Sequence, residues 1–435
     1  MTANQSSSTT VGRSATMALH DGTPVYGPIL SSNEIRLLQL EPGHREIRCS
    51  LTVHRLDANP TYEAISYAWG DPRKARLIIC NGQHLYIGKN LFQALCQLRR
   101  NGQAALLWID ALCINQASNP EKSVQVRMMR QIYERAIHVR VWLGLAEDGD
   151  EAGLALMRRI DGRCGRSRPD DLQKDFTPLE LLGLPGVESP DWKALGRILY
   201  RPWFFRIWIV QEILVARRST FLLGPYHMDG DAVLGFAGTC EKFRCIYDAV
   251  AINATVNISS EFQATVMSRS QSTAGTVGVS PSAKTLWLLR FTLREQWLSM
   301  VELLNNTRSF QATDPRDRVF AVVGLASDLD PEFVRSLVDY EKSLADIQTE
   351  LAIWFLRHQN RADTLLFSYV ESTGHSILLP SWVPDWIGRG HFQNSLAATY
   401  YSFEDAVAMP NPRVDRRIIS GSVNCSVKRF HQWHC

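Results

Sequence analysis

The chain of 435 residues predicts an α/β domain built on a parallel sheet, with extra N-terminal strands and an inserted hairpin, followed by a mainly helical C-terminal region. Three observations predict it. Residues 106–143 place an amphipathic helical stretch between two compact apolar runs, the spacing of a parallel pair joined by a crossover helix. Those two runs, LLWID and VRVWL, show little polar alternation, as expected of strands covered on both faces. Beyond residue 283 the apolar pattern turns helical, over 283–305 and again over 344–358.

The elements follow in order. Residues 1–30 are rich in Ser and Thr and poor in large apolar side chains, which predicts a disordered tail. IRLLQL (35–40), EIRCSLTVHRL (46–56) and YEAISYAWG (62–70) read as strands. Residues 76–88 form two β-rich runs hinged on Asn81-Gly82, the strongest short-range hairpin signal. An amphipathic helix over 91–100 has Leu91, Ala94, Leu95 and Leu98 on one face. Strand 106–110 comes next, then a helix opened by Pro120 whose core positions recur at Val124, Met128, Ile132 and Ala136. Strand 139–143 closes this unit. Helices are predicted over 151–160, 192–200 and 203–216, with an exposed Gly/Arg/Pro/Asp-rich insertion reaching about residue 190. The predicted organisation is a tail over 1–30, the α/β domain over 31–225, a helical extension over 226–262, a Ser/Thr/Gly-rich linker over 263–284 and a mainly helical region over 285–435.

Composition narrows the function. A net charge of +3, from 47 basic and 44 acidic residues dispersed along the chain, lacks the clustered cations that a nucleic-acid surface needs. The nine cysteines, odd in number and irregularly spaced, fit reduced buried thiols rather than a disulfide framework. The N-terminus lacks the apolar segment of a secretory signal, and no apolar run approaches the roughly 20 residues of a membrane span. A soluble, cytoplasmic protein is expected. Cys240 with Cys245, and the terminal HQWHC, have metal-ligand residue types without a four-ligand spacing, so no metal is predicted. No Gly-rich phosphate-binding fingerprint is present. Cys113 has no patterned His partner and reads as a buried thiol.

Five segments occur in a set order: YEAISYAWG (62–70), WIDALCINQ (108–116), QVRMMRQIY (125–133), VRVWLG (139–144) and RPWFFRIWIVQE (201–212). In this they closely resemble the heterokaryon-incompatibility (HET) domain of filamentous fungi. ATDPRDRVFAVVGLA (312–326) and LPSWVPDW (379–386) resemble segments that commonly follow that domain. The resemblance implies a role in non-self recognition and regulated cell death, through self-association or contact with another death-pathway protein. More remotely, Ser66, Tyr67 and Asp71, then Trp108, Ile109 and Asp110, then Ala136, Val139 and Val141, then Trp208 with Glu212, resemble the order of a Toll/interleukin-receptor (TIR) domain, which implies a TIR/flavodoxin-like sheet. Some TIR domains cleave NAD with a glutamate in a W-x-x-x-E segment. That resemblance makes Glu212 the candidate catalytic residue and NAD a possible substrate, with no resident cofactor.

The chemistry is consistent. Cleaving an N-glycosidic bond develops oxocarbenium character that a carboxylate stabilises or traps. Ser66, Tyr67, Asp110 and Asn115 are candidate substrate contacts, and Trp69 and Trp208 candidate stacking platforms. Ser66, Asp110 and Glu212 are expected to meet around a shared hollow at one rim of the sheet. A structural reading stands beside each: Glu212 paired with Arg206 or Arg201, Asn115 and Gln116 as turn formers, and Ser118 or Asn119 as a helix cap. The TDPRDR run is expected to clamp the C-terminal part to the α/β domain through Arg–carboxylate pairs.

Overall fold

The computed structural model describes residues 25–43, 46–71, 73–100, 106–165, 175–254, 281–295 and 298–358, with 379–380, 383 and 386. Most of the predicted tail and linker, much of the 379–386 segment and the HQWHC terminus lie outside them.

Among the described residues, nine strands form one mixed sheet in the order β5-β4-β2-β1-β6-β3-β7-β8-β9. They are β1 (Glu34–Leu40), β2 (Arg48–Arg55), β3 (Glu63–Tyr67), β4 (Ala75–Cys80), β5 (Gln83–Gly88), β6 (Leu107–Trp108), β7 (His138–Trp142), β8 (Ser219–Leu223) and β9 (Tyr226–Asp229). The central run β6-β3-β7-β8 is parallel, and all five residues of β3 are buried, including Glu63, which pairs with Arg140, and Ser66. Antiparallel pairs flank this run: β1 with β2, β4 with β5, and β8 with β9. The β4–β5 turn has Asn81 at φ 52° and Gly82 at φ 77°, the left-handed pair that a two-residue hairpin requires.

Helix α1 (Lys89–Arg100) buries Leu91, Ala94, Leu95 and Leu98 as its periodicity predicts. A short α2 (Asp110–Cys113) and the long α3 (Asn119–Arg135) follow β6. Ser118 caps α3, accepting from the Glu121 amide, with Pro120 in the first turn. The predicted stripe of α3 is buried at Met128, Ile132 and Ala136 and half-buried at Val124, and the buried face is wider than the stripe, taking in Gln125, Val126, Met129 and Tyr133. Two tyrosine hydroxyls fasten α3 to the central strand, Tyr62 donating to the Ile132 carbonyl at 2.6 Å and Tyr133 to that of Ile65 at 3.3 Å.

Two predicted elements are corrected. The strand expected over 106–110 ends at Trp108, because Asp110 accepts from the Ala111 amide at 2.7 Å and turns the chain into α2. The helix expected over 203–216 is broken into a 3-10 turn, Pro202–Phe205, and a short α6 (Ile209–Leu214). Between them the backbone runs extended at Arg206 (φ −76°, ψ 135°), because the backbone of Gln311 pairs with Phe205 and Ile207 on either side of it. The β8–β9 hairpin answers to no predicted element.

The helices α4 (Asp150–Cys164), α5 (Pro190–Leu199), α7 (Gly230–Lys242), α8 (Arg244–Ala254), α9 (Pro281–Glu295), α10 (Met300–Asn306), α11 (Asp317–Val323) and α12 (Pro331–Leu337) complete the unit ending at Ser343. The second unit begins with α13 (Leu344–His358), where Trp354 stacks on His358 and Phe355 meets Trp386 edge to face at 5.8 Å. No described helix is long and apolar enough to cross a membrane.

Candidate functional site: a closed acidic centre at the end of the central strand

Ser66 stands in β3, 1% exposed, and its hydroxyl donates to Glu212 Oε2. Ser66 Oγ in turn accepts from Trp203 Nε1 at 2.6 Å. Arg206 Nη1 lies 3.7 Å from Glu212 Oε1 and donates to the carbonyl of Tyr67. Glu212 is itself 1% exposed. Burial pushes its carboxyl from 4.5 up to about 7; the Arg206 guanidinium opposes the rise, the charge of Asp110 adds to it, and the Ser66 hydroxyl again opposes it.

Asp110 closes the other side of this centre. It accepts from Trp69 Nε1 at 2.8 Å and bonds the Tyr67 hydroxyl. Burial raises its carboxyl against the pull of Arg206. Burial also lifts the Tyr67 and Tyr133 phenols far above their ordinary value, helped by the charges of Asp110 and Glu212. Arg206 loses stability as a cation through burial, yet the two carboxylates and the two phenols together hold its proton more firmly than usual. Two carboxylates therefore share one guanidinium.

The segment RPWFFRIWIVQE resolves residue by residue. Arg201 pairs with Asp150 and Glu147, each at 3.0 Å. Trp203, Arg206 and Glu212 build the centre just described. Trp208 donates to Asp317 Oδ2 at 3.0 Å, and Gln211 to the Phe320 carbonyl at 3.4 Å. Every charged or hydrogen-bonding side chain of this segment thus has a partner elsewhere in the fold, save that Gln211 Oε1 and Arg201 Nε are buried without one.

Of the residues singled out in the sequence, Ser66, Tyr67, Trp69, Asp110 and Glu212 come together. Asn115 and Trp208 do not. Asn115 Oδ1 accepts from the Ala117 amide at 3.2 Å as a turn former, and Gln116 Nε2 closes onto the Asp110 carbonyl at 2.9 Å. Trp208 is committed to Asp317. Ser66 and Glu212 are each 1% exposed while Asp110 is half-buried, and a cavity of about 220 Å³ beside the Trp69 loop is lined by Gly70, Asp71, Lys74, Lys89, Asn90 and Gln93 rather than by these three. Trp69, 40% exposed, is the part of the centre that reaches solvent most. Cys113 is fully buried and its thiol is pushed up to about 12, so it is no nucleophile.

Sequence reasoning missed three contributors. Trp203 is the donor onto Ser66 Oγ, and the indole two residues after Arg201 was its signal. Asn90 ties three elements, donating to the Ala68 carbonyl at 2.7 Å and accepting from Trp142 Nε1 at 2.9 Å. Arg36 and Glu121 form a buried two-pronged pair, the longer bond 3.1 Å, and Glu121 also accepts from the Asn115 amide. The expected clamp at TDPRDR exists by other bonds. Arg316 pairs locally with Asp314, while Arg127 and Arg130 reach the carbonyls of Val338 and Gly324, and Asp317 collects Trp208 and Tyr340.

Residues 62–212 match the family described as Heterokaryon incompatibility protein (HET). The chain is 26% identical over 407 residues to "Heterokaryon incompatibility protein 6, OR allele" of Neurospora crassa, an alignment covering 82% of this chain and 58% of that relative. The chain thus spans a little over half the length of this curated relative. No solved structure matches it.

Proposed function

We propose that this chain, which carries a HET domain over residues 62–212, acts in heterokaryon incompatibility as a non-catalytic signalling module. It works through contact with itself or with another death-pathway protein. One observation carries the reading: Glu212 and its partner Ser66 are each 1% exposed, and the half-buried Arg206 stands over the other carboxylate oxygen, so a substrate does not reach Glu212 in this conformation. The centre then serves as a polar hub that fixes β3, α6 and the Trp69 loop in one arrangement. Such hubs rigidify a core when every member is satisfied.

A second reading is favoured by a specific feature. Ser66, Asp110 and Glu212 converge at the carboxyl end of a parallel strand, where ligands of α/β sheets bind, and a carboxyl poised near 7 suits general acid–base work. In that reading the Trp69 loop opens and a TIR-like domain cleaves NAD. One experiment separates the two. Wild type, Glu212→Gln and a Trp69→Ala variant are expressed in a fungal host, and cell death and NAD content are scored. The signalling reading expects death with unchanged NAD in wild type and in Glu212→Gln. NAD loss in wild type that Glu212→Gln abolishes at equal protein level overturns it.

A further inference from the structure

Two buried cysteines outside this centre lie opposite each other on adjacent strands. Cys49 of β2 and Cys80 of β4 are direct partners in a parallel register, so their side chains leave the sheet on the same face. The register is held from both sides of the pair. The Ile79 amide donates to the Ile47 carbonyl at 2.9 Å, the Asn81 amide to the Cys49 carbonyl at 3.0 Å, and the Leu51 amide to Asn81 Oδ1 at 2.8 Å. The Cys49 thiol donates to the Ile79 carbonyl at 3.6 Å, on the strand that carries Cys80 and one residue before it, and the two thiols lie close enough to shift each other's proton affinity. Adjacent strands lie about 4.8 Å apart, within the roughly 4.4–6.8 Å Cα separation that a disulfide spans.

We infer that Cys49 and Cys80 form a thiol pair that a peroxide converts to an internal disulfide. Metal binding is a poorer use of these sulfurs: among the described residues no group of three or more His, Cys, Asp or Glu is arranged to hold an ion. Within the pair the proton affinities are asymmetric. The Cys49 thiol beside it lowers the pKa of Cys80, while that contact and burial raise that of Cys49. Either sulfur can open the reaction and the balance is the same for both; written from Cys80, it reacts as the thiolate. Its sulfur takes one oxygen of hydrogen peroxide as the O–O bond breaks, and the departing hydroxide collects the thiol proton as water. The resulting sulfenic acid is displaced by the Cys49 sulfur, the S–S bond forms, and a second water leaves with the Cys49 proton. Two thiols and one peroxide become one disulfide and two waters, and a dithiol reductant reverses the change.

Both sulfurs are buried, so the oxidant enters by local opening. β5 is an edge strand and the β4–β5 turn is exposed at Asn81 and Gly82, which makes this hairpin a low-cost place to open. The bond would close a loop of roughly thirty residues and so restrict the unfolded chain. That loop contains β3, with Ser66, Tyr67 and Trp69, so oxidation staples the strand that carries the acidic centre.

The test uses the full chain, purified reduced and exposed to a small excess of hydrogen peroxide. Peptide mapping without reduction is expected to find Cys49 linked to Cys80 with the loss of two hydrogens. The midpoint of thermal unfolding is expected to rise by about 5 °C and to return on adding dithiothreitol. Cys49→Ala and Cys80→Ala should each remove the shift, and Cys96→Ala, on the half-buried side of α1, should keep it. Absence of the linked peptide in wild type, a link to Cys113 instead, or a link that leaves the midpoint unmoved would each overturn the inference.

Discussion

Replacing Glu212 by glutamine should change how stability depends on pH, by an amount set by the buried carboxyl. The unfolded chain holds that proton with a pKa of 4.5 and the folded chain with one of about 7. Between these values the native state carries a proton that the unfolded state has released, so stability falls as pH rises through the window. From 4.5 to 7 is 2.5 pH units, and at about 1.36 kcal/mol per unit the wild type should lose about 3 kcal/mol that the variant does not. The stability difference, wild type minus Glu212→Gln, is then largest and most favourable to wild type below pH 4.5. It declines by about 3 kcal/mol up to pH 8. Urea unfolding of both proteins at several pH values, followed by tryptophan fluorescence, measures it directly. Asp110 and Asp317 are also raised by burial, but they titrate in both proteins and largely cancel. A difference that stays flat from pH 4.5 to 8 would show that Glu212 ionises as an ordinary surface carboxylate, and the account of the closed centre would fall.

Ser66→Ala should cost about 2–3 kcal/mol in urea unfolding, because Trp203 Nε1 and Glu212 Oε2 both lose the hydroxyl between them while staying buried. Glu121→Gln should cost about 3–5 kcal/mol by the same assay, since Arg36 is left as a buried cation without its counter-charge. Gly82→Ala should cost about 1 kcal/mol: a Cβ would meet nothing within 4 Å, so the loss is purely that of the left-handed backbone at φ 77°. A loss above 2 kcal/mol there would point to a contact the hairpin does not show.

Local patterns made much of the α/β half legible. Asn81-Gly82 announces its hairpin because only such residues accept the turn, and the compact apolar run VRVWL announces β7 in the middle of the parallel sheet. What failed depended on distant chain. Residues 203–216 are apolar enough for one helix, yet Gln311, about a hundred residues on, pulls Arg206 into an extended bridge that no local window contains. The short β6 was misread because Asp110 acts as a turn-starter as well as a site residue. For the centre, residue types and motif order singled out Ser66, Asp110 and Glu212, which the fold places in one cluster without the expected hollow, while Trp203 and Arg206 complete it through partners only the fold reveals. Trp208, read as a candidate stacking platform, has a partner that local sequence does not contain: its indole donates to Asp317.

The family match stops at Glu212, but the strip 201–212 answers to Ser66, Asp150, Gln311, Asp317 and Phe320, three of them far downstream. An allele exchange that moved this strip alone would break bonds at both ends of the transplant. Viable chimeras must carry residues 298–343 along with it, and divergence at these positions should be inherited in matched sets rather than one substitution at a time.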